Sequence, residues 1–123
     1  MHRSGTDILL IGGSAEARAL APGLRGRASV MLPGPERRAH GWPIPLLPEP
    51  LGQAALTARV AAGVGLIVDA SHPNDWQSSF CAHRVAGALG VDLLRLERPA
   101  WRPGRRDRAH ETVHVLELLE SRP

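Results

Sequence analysis

Short blocks of consecutive apolar residues recur along the chain, with stretches between them in which apolar positions are three and four apart. The first block is Ile8, Leu9, Leu10 and Ile11. An unbroken apolar run of this kind suits a strand buried on both faces, as in a parallel sheet. Ala17, Leu20, Ala21 and Leu24 follow at i, i+3, i+4 and i+7, one face of a helix. Pro22 lacks an N–H and clashes with the carbonyl four residues back, so that helix is expected to end or kink near Ala21. A second strand is expected over 28–32 and a helix over 51–62, with Leu56 and Val60 facing in. Leu66–Asp69 reads as a third buried strand. Asp75 is placed to cap a helix from Trp76 to Leu89, with Cys81, Val85, Ala88 and Leu89 as its inner stripe and Gly90 as its stop. A further strand over 91–96, a last strand over 111–115 and a short helix over 116–120 complete the expected elements.

The exception to this alternation is 33–50, where Pro33, Pro35, Pro43, Pro45, Pro48 and Pro50 exclude a helix from most of the segment. Residues 44–47 suit a short edge strand, a place that tolerates proline. Strand and helix otherwise alternate through short connections. The expected fold is α/β: a Rossmann-like three-layer parallel sheet with right-handed crossovers, in a single domain over 1–123.

Charge changes the picture modestly. The formal net charge is +3 and all of the cationic residues except histidine are arginine, a balance that favours an anionic small molecule. The arginines are spread along the chain and aromatic residues are only 3% of it, so no nucleic-acid interface is expected. Cys81 is the sole cysteine and cannot form an internal disulfide, which points to a reducing, cytoplasmic setting. As a small, mostly apolar side chain it is expected in the core. No apolar run is long enough to span a membrane, and residues 1–5 are too short for a signal peptide, so neither is expected.

Three stretches carry candidate chemistry. Gly12, Gly13 and Ser14 close the first strand and open the first helix. Glycines there allow a tight turn and close approach of a phosphate, which the N–H groups at a helix start attract. The match to Gly-x-Gly-x-x-Gly is partial, and a tight connection without a ligand remains the alternative. Asp69, Ser71, His72 and Pro73 lie at the carboxyl end of the third strand, where open α/β sheets bind ligands. His72 is suited to bind an anion or donate a proton, or else to brace the turn. Arg37 and Arg38, with His40, follow the second strand, where a 2′-phosphate is gripped in nucleotide-binding folds; a solvated loop is the other possibility. His110 and His114 have no third ligand at metal spacing, so no metal site is expected.

Three motifs together resemble the precorrin-6A reductases of cobalamin biosynthesis. They are Ile-Leu-Leu-Ile-Gly-Gly-Ser-x-Glu-Ala-Arg-x-Leu over 8–20, Val68-Asp69-Ala70-Ser71-His72-Pro73, and Leu93-Leu94-Arg95-Leu96-Glu97-Arg98-Pro99-Ala100-Trp101. The resemblance implies reduction of a ring double bond of precorrin-6A, a tetrapyrrole polycarboxylate, by hydride from NADPH in a cleft between two domains. It implies that Gly12, Gly13 and Ser14 hold cofactor phosphates, and that Asp69, Ser71, His72 and Pro73 line the cleft. Arg98 and Trp101 belong to the third motif. This chain matches only the N-terminal half of that family, so the missing half is expected from a second copy or from a separate partner chain. Three stretches depart from the family pattern. Pro33-Gly34-Pro35 stands where Ala-Gly-Arg is usual, with Arg37 or Arg38 as possible substitutes. Pro48-Glu49-Pro50-Leu51-Gly52 replaces a Gly-Gly-Phe-Gly stretch, and Asn74-Asp75 follows His-Pro where Phe-Ala is usual. The other outcome compatible with these features is a non-catalytic dinucleotide-binding or structural domain that has lost the substrate half.

Overall fold

In a computed structural model that describes residues 7–34 and 41–96, four short strands form one parallel sheet. They are β1 (Ile8–Ile11), β2 (Ala28–Met31), β3 (Leu66–Asp69) and β4 (Asp92–Arg95), in the order β2-β1-β3-β4. The register is in step across the sheet: Leu10 pairs with Val30 on one side and Val68 on the other, and Val68 pairs with Leu94. β1, β2 and β3 are buried at every position. Their continuous apolar runs therefore reflect burial on both faces. The sequence order places β1 and β3 side by side with β2 outside β1, so the chain reverses direction across the sheet between β2 and β3.

Successive strand residues point to opposite faces, which divides the core in two. Ile8 and Leu10 of β1, Val30 of β2 and Leu66 and Val68 of β3 pack with α1 (Ala15–Leu20) on one face. Leu9, Ile11, Met31 and Ile67 pack on the other face with α2 (Gln53–Ala61) and α3 (Trp76–Leu89). The result is the three-layer arrangement expected from the alternating pattern. Each fully buried Leu or Ile of these clusters contributes roughly 1.5–3 kcal/mol.

Element ends follow local chemistry. Ser14 caps α1 by accepting the N–H of Ala17 at 3.1 Å. After Leu20 the helix tightens into a 3₁₀ turn over Ala21–Leu24 with Pro22 in its first turn, so proline ends the α-helix where expected. Asp75 caps α3 through both carboxylate oxygens, taking the N–H of Ser78 at 3.1 Å and its hydroxyl at 2.6 Å. Gly90 follows as its C-cap.

Three expectations need correction. α2 begins at Gln53 rather than at residue 51. Leu51 is instead held by the Leu32 carbonyl, to which its N–H donates at 2.7 Å. The inner stripe of α3 is Ser78, Ala82, Val85 and Ala86, with Cys81 half-buried beside it, while Ala88 and Leu89 are exposed. Ala88 and Leu89 lie in the last turn of α3, directly before the Gly90 cap. Residues 44–47 pair with β2 only at Val30–Leu46. The Val30 N–H donates to the Pro45 carbonyl and the Leu47 N–H to the Val30 carbonyl, both at 2.8 Å. Pro43, Pro45 and Pro48 have no N–H with which to extend that ladder. The expected elements over 111–115 and 116–120 lie outside the described residues.

Candidate functional site

β1 and β3 are neighbours and parallel, so the segments that leave their carboxyl ends emerge together. Gly12-Gly13-Ser14 leaves β1, and Ala70-Ser71-His72 leaves β3. The Ala70 N–H donates to the Ile11 carbonyl at 3.0 Å, and the Ser14 hydroxyl donates to the Ala70 carbonyl at 2.6 Å. Ser14 thus uses one oxygen to cap α1 and the same hydroxyl's proton to tie the two turns together.

The glycines have different reasons for lacking a side chain. A Cβ on Gly12 would stand 2.8 Å from Leu32 Cδ2, 3.3 Å from Val30 Cγ2 and 3.4 Å from Trp42 Cη2, so position 12 is filled by the core. Gly13 is exposed and has φ +122°, a conformation that side chains disfavour. A Cβ there would stand 3.6 Å from the backbone N of His72 and 3.6 Å from the Pro33 ring. The Gly13 backbone therefore faces both the His72 loop and the chain leaving β2.

Asp69 is 2% exposed at the end of β3, and its carboxylate is the hub of the second turn. One oxygen accepts from the Ser71 N–H at 3.0 Å and the Ser71 hydroxyl at 2.7 Å. The other accepts the Ser79 hydroxyl, at 2.6 Å, from the first turns of α3. A buried carboxylate needs such donors to offset its lost hydration. This web fixes the loop that carries His72. The His72 carbonyl accepts the Asp75 N–H at 2.8 Å, and its Nδ1 accepts the Asn74 N–H at 3.0 Å. Nε2 is left to carry the ring proton, on an exposed side chain.

The site expected at the β3 end is thus a connected set: Asp69 is buried, Ser71 is half-buried, His72 is exposed, and a side chain on Gly13 would meet the His72 backbone. Arg37, Arg38, His40, Arg98, Trp101, His110 and His114 lie outside the described residues. The sequence reading missed Ser79 and Trp42. Ser79 was legible in principle, because an Asp75 cap places it in the turn of α3 nearest the strand end. Trp42 sits in the proline-rich segment and packs on the α1 face, with the Arg18 guanidinium 4.3 Å from its ring centroid. Cys81 is half-buried, and burial pushes its thiol pKa up, as for a packed rather than a reactive cysteine. Among the described residues no cluster of His, Cys, Asp and Glu is arranged to hold a metal, and no helix is long and apolar enough to cross a membrane.

The family model described as precorrin-6x reductase CbiJ/CobK matches residues 7–122. A precorrin-6A reductase of Mycobacterium tuberculosis (strain ATCC 25618 / H37Rv) is 33% identical over 106 residues, covering 80% of this chain and 42% of the relative. One of Rhodococcus erythropolis is 32% identical over 132 residues, covering 96% and 50%. A solved structure of CobK precorrin-6A reductase superposes with a TM-score of 0.68 at 31% identity, covering 82% of this chain and 43% of that one. The chain spans half the length or less of these relatives.

Proposed function

Because the chain belongs to the precorrin-6x reductase family of cobalamin biosynthesis, we propose that it is the dinucleotide-binding half of an NADPH-dependent precorrin-6A reductase. A second half completes it, supplied by a partner chain or by a second copy. The observation that carries this reading is the joining of the two strand-end turns. The Ser14–Ala70 hydrogen bond ties the glycine turn to the start of the loop that carries His72, and a Cβ on Gly13 would stand 3.6 Å from the His72 backbone N. Both stand at the carboxyl edge of adjacent strands, the edge where open α/β sheets bind ligands.

The residues present fit a dinucleotide in a specific way. The Ser14 hydroxyl is committed to Ala70 and Ala17, and the Gly12 N–H to the Met31 carbonyl, so the backbone of Gly13 and Ser14 is the part of the turn assigned to a pyrophosphate. The exposed, positive-φ Gly13 lets that backbone approach closely. Arg37 and Arg38 are assigned to the 2′-phosphate that distinguishes NADPH from NADH. When bound, NADPH supplies the hydride. In this chain the Nε2–H of His72 is assigned a hydrogen bond to the substrate, while Asp69, through Ser71 and Ser79, positions the loop. A hydride transfer needs reacting atoms held in near-attack geometry away from water. His72 is exposed, so the second half is assigned the task of closing over it.

Calorimetric titration with NADPH and, separately, with NADH tests the cofactor assignment. Micromolar binding of NADPH, weaker binding of NADH and loss of both in Gly13→Val are expected. No heat with either nucleotide overturns the assignment and leaves a family domain that has kept its fold without its cofactor.

A further inference from the structure

α3 turns an unusual surface outward. Trp76 is 68% and Phe80 55% exposed, the most exposed large apolar side chains of the described residues. Trp76, Phe80 and Arg84 are spaced four apart, so they form one line along the helix, about 12 Å from end to end by helical rise. The Arg84 guanidinium lies 5.7 Å from the Phe80 ring centroid, and His83 is exposed next to it. α3 contains no acidic residue, and Asp75, the residue that caps it, has both oxygens turned to Ser78. The line begins at the first residue of α3, immediately after the loop that carries His72. Water-exposed aromatic side chains on one face of a helix cost free energy unless something covers them. What suits this surface is flat and conjugated, to lie on the rings, and anionic, to meet Arg84 and His83.

We propose that Trp76 and Phe80 form a platform for the ring system of a tetrapyrrole polycarboxylate, with Arg84 taking one of its peripheral carboxylates. This rests on the reductase reading and adds the residues that orient the substrate beside His72. Trp76 is a positioning residue: it holds one edge of the macrocycle at the mouth of the loop. Phe80 extends the flat surface, and Arg84 sets which edge of the polyanion points away from the site.

The test uses the whole chain and uroporphyrin, a planar tetrapyrrole polycarboxylate, as the probe, read by absorbance shift and by fluorescence quenching. NADPH is titrated in parallel by calorimetry. Trp76 and Arg84 are exposed, so substitutions there leave the core intact. The wild-type chain is expected to bind uroporphyrin, and to bind polyglutamate, which has charge without a ring, more weakly. Trp76→Ala is expected to lose about tenfold in uroporphyrin affinity, the size of one aromatic stacking contact. Trp76→Phe is expected to keep most of it, and Arg84→Glu to lose a comparable factor, with NADPH affinity unchanged in all three. Unchanged uroporphyrin binding by Trp76→Ala overturns the platform. So does a wild-type chain that binds NADPH but not uroporphyrin, which leaves the cofactor reading standing. If Trp76→Ala weakens NADPH equally, the ring serves the cofactor and the proposal falls. If it only dissolves a dimer seen by sedimentation, a second copy is the occupant and the proposal also falls. Binding of neither uroporphyrin nor NADPH removes the reductase reading together with the platform.

Discussion

Gly12 and Gly13 are adjacent, yet only one of them is available to a ligand. Gly12 is a packing residue, enclosed by Leu32, Val30 and Trp42. Gly13 is a conformational residue, exposed and at positive φ. The distinction separates the effects of substitution. Gly12→Ala pushes a methyl group against the buried Leu32 and is expected to cost about 1–3 kcal/mol, the range for overpacking a filled core. In a Leu32→Ala background the same methyl enters space already vacated. Urea denaturation of the four proteins in that cycle should show a smaller penalty for Gly12→Ala when Leu32 is truncated. Equal penalties in both backgrounds would mean that the clash is relieved elsewhere. The same scale explains why the pattern Gly-Gly-Ser was ambiguous when met as letters: nothing in the residue types says which glycine is spent on packing. Asp69 was likewise legible as a polar residue ending an apolar run, but not as a buried acceptor of three hydrogen bonds. Its partner Ser79 comes from the first turns of α3, ten residues further along the chain.

Elements were legible where chemistry repeats and illegible where it is singular. The four strands fall within a residue or so of the expected ones: β1, β2 and β3 are buried on both faces, and β4, at the sheet edge, is only partly buried. The caps Ser14 and Asp75 act as their residue types suggest. The inner stripe of α3 was shifted because the helix is rich in alanine and carries apolar residues on more than one face, so the periodicity alone had no single solution. The proline-rich segment has no period to read at all. What holds it is specific: the Val30–Leu46 bridge, Trp42 under Arg18, and Glu49 hydrogen-bonded to Arg59 of α2 at 2.5 and 2.9 Å. The last contact gives a pH-dependent prediction. The hydrogen bond from Arg59 holds the Glu49 carboxyl below its ordinary pKa. A carboxylate whose pKa is lower folded than unfolded stabilises the fold above its unfolded pKa and loses that stabilisation as pH falls through the folded value. Both side chains are about one-third exposed, so the effect is small, at most about 1 kcal/mol. Thermal melts of wild type and Glu49→Gln should differ at neutral pH and converge once the pH drops below the ordinary carboxylate range. High salt should narrow the neutral-pH difference. A difference that persisted in acid would assign the contribution of Glu49 to packing rather than to charge.

At the scale of the whole molecule, two cores share one thin partition. Neighbouring residues of β1 serve opposite faces: Leu10 belongs to the α1 side and Leu9 to the α2–α3 side, and both are fully buried. Neither layer can come away without exposing the back of the strands that the other needs. Layers coupled this way unfold together, and coincidence of different probes is the measure of that. Cys81 reports from the α3 layer. Its packed, pKa-raised thiol should react slowly with a thiol reagent at mildly alkaline pH while the fold holds. In urea, labelling of Cys81 should rise at the same midpoint at which far-ultraviolet circular dichroism is lost. Leu10→Ala, on the face away from Cys81, should lower both midpoints together, with a cost of about 2–5 kcal/mol. Labelling that ran ahead of the loss of helix would show that α3 detaches by itself. That result would also bear on the site: Ser79 of α3 braces Asp69, and the Asp75 cap sits beside His72, so a loose α3 would leave the loop between them without its fixed geometry. Coincident transitions would instead mean that the strand-end turns, the His72 loop and α3 belong to one cooperative unit.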